Sequence, residues 1–187
     1  EDVEITTPDG TADAAYIHPS TGAYAGVLIW TDAFGLRPSY RAMARRLAAD
    51  GYSVLVPNPF YRVERAPSFP DASVVSFANP EDRARLGPLM GSITAPDAAE
   101  RDASAYIPFL DAQPNVDTSK KIGTQGYCMG GPLIVRTAAS QSDRIGAAAS
   151  FHGGGLVTDQ ADSPHLLVPE MKAHYLFAIA ENDDENQ

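Results

Sequence analysis

Apolar and polar positions change their rhythm along this chain, and the changes mark its elements. Residues 3–7 and 12–18 flank the turn-forming Pro8-Asp9-Gly10, which predicts a β-hairpin. "AGVLIW" at 25–30 is apolar without a break, as in a strand covered on both faces. "SYRAMARRLAADG" at 39–51 sets Tyr40, Met43 and Leu47 at helical spacing and stops at Gly51. "YSVLVPNP" predicts another buried strand, closed by prolines. Residues 62–95, rich in Pro, Ser and Arg, predict a loop with short helical pieces. A helix over 96–111 carries Ala99, Ala103, Tyr106 and Leu110 on one side, with Pro96 in its first turn and Pro108 bending or shortening its end. Strands over 121–126, 145–151 and 175–180 follow, with a helix over 129–140 between the first two.

Strands thus alternate with helices, which predicts an α/β fold: a mostly parallel sheet covered by helices, preceded by the hairpin. The expected parallel strands lie near 25–30, 52–56, 121–126, 145–151 and 175–180. In such sheets, catalytic groups gather at the carboxyl ends of the strands. The 187 residues suit one domain with a single core.

Composition narrows the function. A formal charge of −10 argues against a nucleic-acid partner, because neutralising phosphates takes lysine and arginine. No apolar run approaches the roughly 18 residues of a membrane helix, so no membrane partner is expected. The acidic, polar start "EDVEITTPDG" does not read as a signal peptide, and a cytoplasmic location is expected. One cysteine can make neither an internal disulfide nor a thiolate metal site, and no metal or cofactor is expected.

That cysteine, Cys128, stands between the strand 121–126 and the helix 129–140. Gly126-Tyr127-Cys128-Met129-Gly130 has the G-x-nucleophile-x-G spacing of a nucleophile elbow. A strand that turns sharply into a helix strains the nucleophile, and flanking glycines let neighbouring backbones approach. The side chain then stands above the sheet at a helix N-terminus, where free N–H groups favour a thiolate. The spacing fits neither G-x-G-x-x-G nor a loop followed by G-K-[ST], which argues against dinucleotide and phosphate loops.

Acyl transfer also needs oxyanion donors. The expected donors are the N–H of Met129 and that of Ala33, in the loop "TDAFG" after the strand 25–30. "HGGG" at 152–155 follows the elbow rather than preceding it, so it is not the oxyanion motif. Glu181-Asn182-Asp183-Asp184, after the last strand, supplies the acid, with Asp183 ahead of Asp184. Of the four histidines, His18 belongs to the hairpin, His165 to a loop, and His174 to the wrong end of a strand. His152 ends a strand on the correct side, but it precedes the acid in the chain, and it is expected to line the pocket. Asp32, Phe34 and Tyr127 are expected there too, with Arg62, Arg83 and Arg85 as candidates to bind a substrate carboxylate.

Together, "TDAFG", "DGYSVLVPNPFYR", "GYCMGG", "FHGGGL" with "DSPHLL", and "AEND" resemble the dienelactone hydrolase family within the α/β-hydrolase fold. The resemblance runs from about residue 25 to the end. It implies hydrolysis of enol-lactones and related activated esters by a Cys–His–Asp triad, with Cys128 as nucleophile and Asp183 as acid. It also puts Asp32 where the family has a glutamate that contacts the resting thiol. The family's histidine lies on a loop after one more helix and strand, and these are absent from the sequence. The resemblance therefore implies a domain, 1–187, that lacks its C-terminal part, with the histidine beyond Gln187. The partner expected is a small ester or lactone, carboxylate-bearing ones included, and the state a monomer or homo-oligomer. Two other readings stay open: an inactive binding protein that keeps the fold, and a redox-sensing thiol.

Overall fold

The computed structural model describes residues 1–181 and 183. β1 (Asp2–Thr7) and β2 (Gly10–Ile17) form the hairpin. β3 (Ala25–Trp30), β4 (Tyr52–Pro57), β5 (Ile122–Tyr127), β6 (Ile145–Phe151) and β7 (His174–Ala178) follow. They join in one sheet of order β1-β2-β4-β3-β5-β6-β7. β2 is antiparallel to β4, and every pairing from β4 to β7 is parallel. The five expected parallel strands are all present.

Alternation along β3 divides the core. Leu28 and Trp30 pack to one side with Tyr106, Leu133 and Ile134; Val27 and Ile29 pack to the other with Tyr40 and Ala44. The second face is covered by α1 (Pro38–Ala49), which buries Tyr40, Ala44 and Ala48. The first is covered by α3 (Ala98–Asp111) and α4 (Gly130–Ser140). The indole of Trp30 donates to Thr137 Oγ1 at 3.0 Å, satisfying two buried polar groups where β3 meets α4.

The segment 62–95 corrects the sequence reading. It contains α2 (Pro80–Thr94), a helix of 15 residues. Asn79 caps it through the Glu81 N–H, Pro80 opens it, and Glu81 and Asp82 fill the first turn. Leu86, Leu89 and Ile93 are its buried stripe. Two further details differ. Pro96 precedes α3 rather than entering it, and Pro108 sits inside α3, which runs on to Asp111.

Arg62 is also placed differently from expectation. Its guanidinium bonds both oxygens of Asp102, at 3.0 and 2.6 Å, and Asp9 at 3.0 and 2.7 Å. Asp102 is fully buried, and it also accepts from Tyr61 at 2.7 Å. Arg62 therefore ties the hairpin to α3, with its charge already shared between two carboxylates. Arg62→Met leaves Asp102 buried and short of its main partner, and burial, which already pushes its carboxyl pKa up, is then opposed by less. The expected cost is about 3–5 kcal/mol, read as a lower urea midpoint. A midpoint within error of wild type would show that the network contributes nothing net.

Candidate active site

Four strand ends meet at the carboxyl edge of the parallel strands. β5 leads into Cys128, which has φ 52° and is half-buried. Only three non-glycine residues among those described have positive φ: Asp97, Cys128 and His152. The glycine spacing explains how the turn is reached. A Cβ on Gly126 would lie 2.1 Å from the Gly130 carbonyl oxygen, and one on Gly130 would lie 2.6 Å from that of Trp30. The elbow is thus closed against its own helix on one side and against β3 on the other. Its amide donates to the Phe151 carbonyl at 3.0 Å, so the parallel ladder continues one residue past β5.

The electrostatics of Cys128 oppose one another. Burial pushes the thiol pKa up, and the backbone N–H of Met129 pulls it down. The charges of Asp32 and Asp183 push it up again, and the Ala33 N–H pulls it down. The net direction is upward, so the resting group at neutral pH is a thiol. The two N–H groups that lower it are the pair named from the sequence as oxyanion donors. Met129 and Ala33 are both buried, which holds those amides away from competing water.

Asp32 differs in its bonding from the expected thiol contact. Its carboxylate is gripped bidentately by Arg37, at 2.6 and 2.7 Å, and Oδ1 also accepts from the Phe34 N–H at 2.9 Å. Arg37 lies over the rings of Tyr40 and Phe34, at 4.9 and 5.6 Å to the centroids. Nothing periodic in the sequence marked Arg37. Asp32 still bears on the thiol, because its charge opposes ionisation. Asp32→Asn is expected to move the midpoint of Cys128 alkylation by iodoacetamide to lower pH. Removing one of two carboxylates stabilises the thiolate, so reaction at pH 8 should be faster. An unchanged pH profile would take Asp32 out of the site's electrostatics.

At the end of β7, Asp183 is buried, and its Oδ2 accepts from the Ala180 N–H at 2.8 Å. Its Oδ1 lies 2.5 Å from His152 Nδ1. His152 follows β6, has φ 54°, and donates its own amide to the Ala178 carbonyl at 2.8 Å. Asp184 lies outside the described residues. Chain order alone did not bring His152 to Asp183; the fold does, because β6 and β7 are neighbours in the sheet.

The remaining pocket candidates divide. Phe34 stands 6.0 Å from Phe69 and 5.8 Å from Phe77, forming an aromatic cluster on the loop after β3. Arg85 lies over Phe69 at 4.6 Å, bonds the Ser68 carbonyl, and has a side chain 56% exposed. Arg83 bonds the carbonyls of Phe77 and Ala78 at the α2 entrance. Tyr127 is stacked on Phe151 at 5.0 Å and edge-on to Tyr40 at 5.7 Å, among residues packed under α1. Among the described residues, no cluster of His, Cys, Asp or Glu is arranged to hold a metal ion. No described helix is long and apolar enough to cross a membrane.

An open, mostly parallel sheet with an N-terminal hairpin and a strand–elbow–helix unit at its centre defines an α/β-hydrolase fold. The chain belongs to the dienelactone hydrolase family, whose model matches residues 13–186. It is 28% identical over 141 residues to the carboxymethylenebutenolidase of Rhodococcus opacus, covering 74% of this chain and 48% of that protein. The Mus musculus carboxymethylenebutenolidase homolog is 29% identical over 171 residues, with 90% and 60% covered. The chain thus spans about half to three fifths of the length of these relatives. The same fold occurs in a solved dienelactone hydrolase-like promiscuous phosphotriesterase from metagenomic libraries. That match has a TM-score of 0.71 and 22% identity, and covers 99% of this chain and 73% of that one.

Proposed function

We propose that this protein is a cysteine-nucleophile hydrolase of small activated esters or enol-lactones. The observation that carries this reading is the position of Cys128: strained, half-buried, and met by the Met129 and Ala33 N–H groups. Those amides converge where a carbonyl oxygen would develop negative charge, and they do so without reorganising. The Cys128 sulfur attacks the carbonyl carbon, and the tetrahedral oxyanion rests on the two N–H groups. Its collapse expels the alcohol oxygen and leaves a thioester, which water then hydrolyses. Asp183 is the acid that orients an imidazole. Of the arginines, Arg85 suits a substrate carboxylate better than Arg62, because its ion pair with Glu64 is long, at 3.5 Å, and exposed, whereas Arg62 is held by Asp9 and Asp102 at 2.7 and 2.6 Å.

Hydrolysis of p-nitrophenyl acetate tests the reading. A burst of about one equivalent of p-nitrophenolate, lost after alkylation of Cys128, supports it. Absence of a burst in a folded protein whose thiol accepts iodoacetamide favours a binding protein. A sulfenic acid trapped after peroxide treatment, again without a burst, favours the redox thiol.

A further inference from the structure

We infer that Arg37 is a positioning residue of this site: together with Tyr40 it locks the loop after β3 so that the Ala33 N–H is aimed at Cys128. The inference rests on the cysteine-hydrolase reading and deepens it, by naming what holds one oxyanion donor in place.

Of the amides from Asp32 to Gly35, all but that of Ala33 are spent within the loop and on α1. The Asp32 N–H donates to Tyr40 Oη at 2.9 Å, the Phe34 N–H to Asp32 Oδ1 at 2.9 Å, and the Gly35 N–H to the Asp32 carbonyl at 3.1 Å. The Ala33 N–H bears on the Cys128 sulfur. The peptide that carries it is therefore held from both sides, and Arg37 closes the hold. One terminal nitrogen of its guanidinium donates to Asp32 Oδ1 at 2.6 Å and to the Gly35 carbonyl at 3.2 Å. The other donates to Asp32 Oδ2 at 2.7 Å. Oδ1 is the same oxygen that takes the Phe34 N–H. A carboxylate freed from Arg37 can turn toward water, and the Asp32–Phe34 turn that orients the Ala33 peptide opens with it.

The place of Arg37 fits this task better than service to its own helix. It is the N-cap residue of α1, yet its side chain makes no capping bond. A cation there also meets the positive end of the helix dipole, where Asp, Ser or Thr is the favoured type. The guanidinium instead lies over the Tyr40 ring at 4.9 Å, and Tyr40 meets Tyr127, the residue before Cys128, at 5.7 Å. One packed set thus runs from the donor loop to the strand that carries the nucleophile. The Arg37 side chain is 15% exposed and that of Asp32 20%, so water screens this pair less than an ion pair on the open surface. Charge adds to geometry. Asp32 opposes ionisation of the thiol, and a guanidinium gripping Asp32 offsets that opposition. Only a planar fork grips both carboxylate oxygens at once, so lysine here would keep the charge and lose the geometry.

The test compares Arg37→Lys and Arg37→Met with wild type in two measurements, under conditions where urea curves show each protein folded. One is the burst from p-nitrophenyl acetate; the other is the pH profile of Cys128 alkylation by iodoacetamide. Both variants are expected to lower the maximal burst rate by at least about fivefold, because an oxyanion donor is displaced, while the half-saturating substrate concentration changes little. Both are expected to move the alkylation midpoint to higher pH, since an N–H that favours the thiolate is withdrawn. Arg37→Met should move it further, because Asp32 then stands uncompensated. Arg37→Lys carries the test alone if Arg37→Met does not fold. A smaller fall in burst rate for Arg37→Lys overturns the inference. So does a half-saturating concentration that rises while the maximal rate holds, which would make Arg37 a substrate-binding group. An alkylation midpoint that moves in Arg37→Met but not in Arg37→Lys, or in neither, also overturns it, because position then contributes nothing. A wild-type chain that gives no burst defeats the hydrolase reading instead, and the alkylation profiles then decide the inference alone.

Discussion

Cys128→Ala is expected to lower kcat/KM toward p-nitrophenyl acetate by at least about 10³-fold and to remove the burst. The size follows from what remains: the two N–H groups still bind a carbonyl, but no atom is present to form the acyl intermediate. The fold should survive, because Cys128 is half-buried and makes its bond to β6 through the backbone amide. Equal urea midpoints with a collapsed turnover identify a catalytic loss. Turnover within tenfold of wild type would remove the cysteine from the mechanism.

Gly126→Ala is the second large effect, and it acts through geometry. The new methyl would sit 2.1 Å from the Gly130 oxygen and 2.8 Å from Ile134 Cγ2, inside contact with both the backbone and a core side chain. A flexible side chain could swing aside from such a clash, but a helix backbone between two strands cannot. The expected destabilisation is about 3 kcal/mol or more, at or above the top of the usual range for overpacking, because the clash is with backbone. Any folded fraction should alkylate Cys128 abnormally, since the elbow must open to admit the methyl. A variant as stable and as reactive as wild type would refute the tight closure of this turn.

The parallel strands were legible because burial on both faces writes itself as unbroken apolar runs, as in "AGVLIW" and "YSVLVP". The helix α2 was harder to see. Gly87, Pro88 and Gly91 lie within it and dilute its periodicity, although Asn79, Pro80, Glu81 and Asp82 spell a helix start that could have been read. The positions of Ala33, Met129, Asp32 and Asp183 followed from strand ends and motif spacing, which are local properties. Arg62 was misjudged because its partners, Asp9 and Asp102, are 53 and 40 residues away in sequence. The pairing of His152 with Asp183 was hidden for a related reason. Chain order places the histidine before the acid, whereas their meeting depends on β6 and β7 being neighbours in the sheet.

The backbone bonds that carry the ladder past the strand ends have a consequence for how the protein comes into being. Cys128 is joined to the residue before His152, and His152 to the last residue of β7, by main-chain groups alone. β5 and β6 are bridged by α4 and can meet early, within one continuous stretch of chain. β7 follows β6 after a connection only a little longer, whereas β3 must arrive from far away in sequence, after a much longer loop has closed. The surroundings of Cys128 are therefore assembled in parts. Docking of β7 brings Asp183 to His152, and docking of β3 brings the Ala33 N–H to Cys128. A folding intermediate that holds only β5, α4 and β6 carries its thiol without these neighbours, so the thiol's final surroundings exist only when the sheet is complete.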